Sequence, residues 1–464
     1  MSLNKMSAVF AAAAIRSGKI TSEELVRSCL DRITEAEETV HAWAYIDGEY
    51  AIKQARDADK RFKSGDSVGP LHGLPVGIKD IFDTADMPTE NGTILHAGRQ
   101  PVEDATAVSL LRGAGAIIMG KTVTTELAVY APGKTANPHS PLRTPGGSSS
   151  GSAAAVAAFM VPLAVGTQTN GSVIRPASYC GVFGYKPTHG RISRYGVLSQ
   201  SRLLDQVGVF ARSIEDVALI AQQLMAFDNK DPDVKPKGRF DLNEALMEGP
   251  AIRPRLAFIK TPVWGHASEV TQDAFKGLVL QLSENVKEVQ LPKVFDRAVD
   301  WHRTIMESDL ARSFEAEYLS GRDKLSPVLC EMIERGRKYS AVDYNKAVEA
   351  ISSLNKELGV IFSDFDAVLT PATASEAPLG LDSTGSPIFC TIWTLCGVPS
   401  LSLPILTGAA NMPLGAQLVA SRGGDYRLLR IAKWLVNEVS YTPSNNYEKK
   451  RDDHKCKTVD RPGI

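Results

Sequence analysis

Apolar and polar positions alternate with a helical period over the first sixty residues. Leu25, Cys29, Leu30 and Ile33 recur at that spacing behind Thr21-Ser22-Glu23-Glu24, where a hydroxyl and early acids mark a capped helix start. The apolar run 8–15 predicts an earlier helix closed by Gly18, and 49–62 predicts a charged amphipathic helix ending before Gly65 and Gly69-Pro70. The pattern then shortens. Positions 74–83 read as an apolar strand interrupted by Lys79, 107–112 as a helix and 116–120 as a buried strand. Further on, 213–225 predicts a helix capped by Ser213, with strands at 255–259, 286–291, 367–371 and 413–419. Positions 295–360 are mostly amphipathic helix, and 426–436 predict one more. Helices alternating with short apolar strands indicate an α/β sheet protein.

One stretch departs from this alternation. Between 144 and 187 lie two small-residue turns, Gly146-Gly147-Ser148-Ser149-Ser150-Gly151-Ser152 and Thr169-Asn170-Gly171-Ser172, joined by the alanine-rich apolar segment 153–165. Serines and glycines at two loop ends tied by a buried element suggest converging hydroxyls and backbone amides. From 228 to 254 the chain is rich in Pro, Gly and charge, which suggests a linker or insertion boundary. The tail 443–464 is polar and charged, where disorder is expected.

Composition narrows the function classes. A chain of 464 residues exceeds the usual single-domain size, although large α/β domains reach it. With 43% hydrophobic and 23% charged residues it is an ordinary globular composition, and a net charge of -1 gives no footprint for nucleic acid and no polybasic membrane anchor. The run 8–15 is too short to span a bilayer. The six cysteines are scattered without a CxxC pair, which supports neither a disulfide framework nor a metal site and fits reduced thiols in a cytoplasmic protein.

A serine nucleophile needs a base. None of the eight histidines sits in a recognisable motif, and each reads as surface or structural. Lys79 differs, because Val76, Ile78, Ile81 and Phe82 surround it with apolar side chains. Holding a lysine neutral at pH 7 costs about 4.6 kcal/mol, which burial can supply. The alternative is a lysine paired with Asp80 or Asp83. Gly147-Ser148-Ser149-Ser150-Gly151 matches the G-x-S-x-G elbow, with Ser149 as nucleophile, but residues 132–146 are rich in Pro, Gly and Asn where the elbow needs a buried strand. Ser353-Leu354-Asn355-Lys356 matches S-x-x-K without its companion motifs, and the Gly/Ser run lacks the ending of a phosphate-binding loop.

The run 146–155, the run Gly166-Thr167-Gln168-Thr169-Asn170-Gly171-Ser172-Val173-Ile174-Arg175-Pro176-Ala177 and the following 180–188 together resemble the signature of the amidase signature family. Blocks at 77–80, 87–89, 120–122, 204–208 and 369–373 extend the resemblance over most of residues 5–440. It implies a single catalytic domain over 1–442, a central mixed, twisted sheet surrounded by helices, and 228–345 as a variable substrate wall. It also implies no cofactor and a Ser–cis-Ser–Lys triad on Ser172, Ser148 and Lys79: nucleophile, relay after a cis peptide bond, and base. The backbone amides of Thr169, Asn170, Gly171 and Ser172 would form the oxyanion hole. Arg175 would hold a substrate carboxylate, or else pair with an acid such as Asp205. Asn170 stands where the family usually has glycine, and asparagine tolerates φ > 0 better than most residues.

The implied activity is hydrolysis of the C–N bond of a small or aryl amide through an acyl-enzyme. Alternatives are a carbamate or urethane hydrolase with the same triad, and a glutaminase subunit of a transamidation complex. A binding protein disabled at Asn170 is the non-enzymatic alternative. The resemblance makes a homodimer an open expectation and implies neither a membrane nor a nucleic-acid partner.

Overall fold

A computed structural model describes residues 2–236, 238, 241–248 and 253–439. The polar tail expected at 443–464 lies outside them. One sheet of 11 strands organises the chain. In chain order the strands are β1 (Trp43–Ile46), β2 (Pro75–Lys79), β3 (Ile117–Thr122), β4 (Leu163–Gln168), β5 (Phe183–Lys186), β6 (Gln206–Ala211), β7 (Leu256–Ile259), β8 (Val286–Val289), β9 (Ala367–Pro371), β10 (Ser400–Thr407) and β11 (Pro413–Val419). Their spatial order is β1-β3-β2-β4-β6-β5-β10-β11-β9-β7-β8. Pairing is parallel for β3/β2, β2/β4, β9/β7 and β7/β8, and antiparallel elsewhere, so the sheet is mixed as expected.

Interior strands such as β4 and β6 are buried along their whole length, which explains their runs Leu-Ala-Val-Gly-Thr-Gln and Gln-Val-Gly-Val-Phe-Ala with little alternation. Two strands delimit the region that matters. β2 lies between β3 and β4, so its final residue, Lys79, emerges into the interior. β4 leads directly to Thr169.

Helices cover the sheet. Ser22–Val40 starts with a capping box in which the Thr21 hydroxyl accepts from Glu24 N and the Glu24 carboxylate accepts from Thr21 N. Ile214–Leu224 starts at Ser213, whose hydroxyl accepts from Asp216 N. A second cluster of apolar side chains, separate from the main core, is built from the helices Ala298–Ser313, Pro327–Gly336, Ala341–Asp364 and Ile388–Leu395. It includes Ile305, Met306, Leu310, Leu329, Ile333 and Trp393. Among the described residues no helix is long and apolar enough to cross a membrane.

Candidate active site

Lys79 is fully buried at the end of β2. Its Nζ donates to Ser148 Oγ at 2.7 Å and to Thr167 Oγ1 at 2.9 Å. The neighbouring acids are engaged elsewhere: Asp80 pairs with Lys121 at 3.3 Å and Asp83 with Arg99 at 2.6 Å. Lys79 therefore has hydroxyl partners and no carboxylate in contact. Burial holds it well below the ordinary lysine range, against a smaller opposing pull from the Asp205 charge.

Each serine of the first turn has its own partner. The Gly147-Ser148 bond is cis, and Gly146 before it sits at φ 82, a conformation that favours glycine. Ser149, the elbow candidate, is buried; its Oγ donates to Thr167 O and accepts from Thr167 N, both at 3.2 Å. Ser150 donates to Val123 O and Ser152 to Val165 O. No strand leads directly into this turn, so the context an elbow needs is absent here. Only Ser148 meets the lysine.

The second turn, Thr169–Ser172, joins β4 to the helix Ile174–Cys180. Gln168 Oε1 accepts from Val173 N at 2.9 Å and from Ile174 N at 3.0 Å, folding the chain back on itself. A Cβ at Gly171 would lie 2.8 Å from Pro387 Cβ, so the close approach of the Ile388–Leu395 segment requires glycine there. Ser172 retains 7% exposure. Among the described residues, the N–H groups of Asn170, Gly171 and Ser172 donate to no protein acceptor, whereas the three carbonyls that share their peptide planes are all engaged. Thr169 O accepts from His302 Nε2 at 2.9 Å, Asn170 O from Thr394 Oγ1 at 2.5 Å, and Gly171 O from Arg175 N at 2.9 Å. The Thr169 hydroxyl donates to Asp205 Oδ1 at 2.6 Å, and Asp205 also accepts from the Gln200 and Ser201 amides. Burial nonetheless raises Asp205 to about 6.

Asn170 does not take positive φ, so the glycine-like conformation anticipated for it is not needed. Its side chain is fixed at both ends, with Nδ2 donating to Tyr130 Oη at 2.9 Å and Oδ1 accepting from Thr391 Oγ1 at 2.7 Å. It lines a cavity of about 280 Å³ whose walls include Tyr130, His302, Met306, Met332 and Ile388. The buried charge on that wall, Glu307, is paired with Arg335 at 2.7 Å.

Arg175 is fully buried. Its guanidinium donates to Gly147 O at 2.6 Å, to Gly385 O at 2.8 Å and to Thr384 Oγ1 at 3.1 Å. Its Nη1 and Nη2 donors go to main chain and a hydroxyl rather than to Asp205, its Nε is buried without a hydrogen-bond partner among the described residues, and it is not among the cavity's lining residues. Sequence patterns did not single out Thr167, Tyr130, His302, Thr391 or Thr394. Thr167 lies inside the signature run but was not assigned a role, and Tyr130, His302 and the pair Thr391 and Thr394 come from separate stretches without a motif; the one available signal was a polar residue at a core-facing helical position, as for His302 between Ala298 and Ile305.

The Amidase family profile matches residues 24–429. A glutamyl-tRNA(Gln) amidotransferase subunit of Rhodopirellula baltica is 33% identical, with 89% of this chain and 92% of that protein covered. Its namesake from Acidothermus cellulolyticus is 32% identical, with 93% and 94% covered. Among solved structures, a chain from a vestigial protein complex tied to the origins of an s-triazine catabolic enzyme superposes with a TM-score of 0.88 at 26% identity, covering 94% of this chain and 99% of that one. The peptide amidase of Stenotrophomonas maltophilia superposes with a TM-score of 0.82 at 25% identity, covering 95% and 98%. A profile match over most of the chain and agreement of the whole mixed sheet lead to one conclusion: the protein belongs to the amidase family, the amidase signature hydrolases.

Proposed function

We propose that the chain hydrolyses the C–N bond of a small or aryl amide, with Ser172 as nucleophile, Ser148 as relay and Lys79 as base. One observation carries this: a buried amine with no carboxylate partner lies 2.7 Å from the hydroxyl of Ser148. A neutral Lys79 accepts the Ser148 proton while Ser148 accepts that of Ser172, and Ser172 Oγ bonds to the substrate carbonyl carbon. The amides of the 169–172 turn take the developing oxyanion. Collapse breaks the C–N bond, and the proton returns through Ser148 to the departing amine. Water then cleaves the acyl ester by the same route, releasing the acid. Arg175 belongs to the scaffold in this scheme, holding the carbonyl that precedes Ser148.

The experiment is a panel of acyl p-nitroanilides, small primary amides and aryl carbamates, run on wild-type protein and Ser172→Ala. Turnover of at least one amide that vanishes in Ser172→Ala is expected; turnover surviving in Ser172→Ala removes the assignment. Carbon dioxide release from an aryl carbamate, with the amides inert, would move the substrate class to carbamates without changing the triad.

A second reading, the glutaminase subunit of a transamidation complex, is favoured by the names of the curated relatives at 30–33% identity. Glutamine hydrolysis that appears only with a co-purifying second subunit would establish it, and independent turnover of the panel amides would exclude it.

A further inference from the structure

We infer that His302 is a positioning residue for the oxyanion hole, acting from the helix Ala298–Ser313 through the Thr169 carbonyl; this rests on the Ser172 reading above. A trans peptide directs its C=O and N–H to opposite sides of one plane. Pinning Thr169 O therefore aims Asn170 N–H, pinning Asn170 O aims Gly171 N–H, and pinning Gly171 O aims Ser172 N–H. The third anchor is the first turn of the following helix, and the second is Thr394. The first anchor alone comes from the 228–345 region, 133 positions away in sequence, through the 2.9 Å bond from His302.

The chemistry of that bond is fixed. A carbonyl only accepts, so Nε2 carries the proton. The ring is 2% exposed and burial pulls it down to about 4, which keeps it neutral at neutral pH, and the carbonyl contact selects the tautomer. His302 also lines the 280 Å³ cavity beside Asn170. The same helix thus shapes the wall a substrate would touch and orients the first amide of the turn. A substrate held in the ground state gains little from that amide's aim, whereas an oxyanion depends on it, so the effect belongs in kcat.

The test uses the full chain, butyryl p-nitroanilide as probe, and two variants. Removing an oxyanion donor outright costs about 10²–10³ in kcat, and His302→Phe leaves the donor present but unaimed. It should lower kcat by about tenfold to a hundredfold with KM within about threefold. His302→Gln can place an N–H near the same carbonyl and should recover most of the loss. A kcat within threefold of wild type in His302→Phe, a fall carried by KM, or no recovery in His302→Gln overturns the inference. If His302→Phe does not fold, His302→Met is judged by the same thresholds. Independently, ¹⁵N-histidine NMR of wild-type protein at pH 7 should show the Nε2–H tautomer, and the Nδ1–H tautomer overturns it without any variant. Absence of all wild-type turnover and of Ser172 labelling would instead sink the hydrolase reading, and this inference with it.

Discussion

Replacing Lys79 with methionine should make the fold more stable at pH 7 and slightly less stable at pH 10. In the unfolded chain the lysine titrates near 10.4. In the folded chain burial holds it well below that range, and the role of base requires it neutral at pH 7. Between the two values the unfolded state binds one more proton than the folded state, so stability falls by about 1.4 kcal/mol for each pH unit below 10.4. With the amine neutral at pH 7, as the base role requires, the penalty there is about 5 kcal/mol, and by pH 10 it is under about 1 kcal/mol. Lys79→Met removes the penalty but deprives the Ser148 and Thr167 hydroxyls of a donor, a loss of about 1–3 kcal/mol for the two. The variant should therefore gain about 2–4 kcal/mol at pH 7 and fall below wild type at pH 10. Urea unfolding of both proteins at pH 7, 8, 9 and 10 measures this, because other titrating groups cancel in the difference. A difference that does not change with pH, or a destabilised variant at pH 7, would refute the claim that Lys79 is held neutral.

Activity should follow the same titration: wild-type kcat/KM falls as pH drops through the depressed Lys79 pKa, because the base is then protonated, and a pH–rate profile flat on the acid side contradicts the assignment. Asn170→Gly frees the Tyr130 and Thr391 hydroxyls and opens the cavity, so the substrate panel should show altered acyl preference, read in KM, with the best kcat within about tenfold. Arg175→Met leaves the Gly147 and Gly385 carbonyls without their buried donor and should cost about 2–5 kcal/mol in urea unfolding. If wild type instead prefers malonamate over uncharged amides and the variant loses that preference at unchanged stability, Arg175 is a substrate ligand and the scaffold role fails.

Local signals carried much of the fold. Thr21 with Glu24, Ser213 before Glu215 and Asp216, and the apolar runs at 367–371 and 413–419 each became the expected element. The strands β1, β4, β5, β6 and β10 were less legible. β4 and β6 are buried on both faces and mix small and polar residues, such as Gly166, Thr167 and Gln206, so no period of two marks them. β4 was also hidden in the alanine-rich segment that supplies the helix Ser150–Ala157. In the site, Lys79 stood out because an apolar strand does not ordinarily carry a lysine, and Ser148 and Ser172 because of the signature around them. The groups that aim the loop carbonyls did not, since His302 and Thr394 reach the turn through the tertiary fold and leave no spacing to read. In the sequence Asn170 is a departure from the family's usual glycine whose side chain would narrow or repolarise the nucleophile loop; the structure makes it a wall residue held by two hydroxyls.

The central claim is that Ser172, and not the neighbouring Ser149, carries the acyl group. A fluorophosphonate probe followed by peptide mass spectrometry tests it most directly. The expected result is one adduct on Ser172, lost in Ser172→Ala and strongly slowed in Lys79→Met. An adduct on Ser149, or labelling that persists in Ser172→Ala, would contradict it.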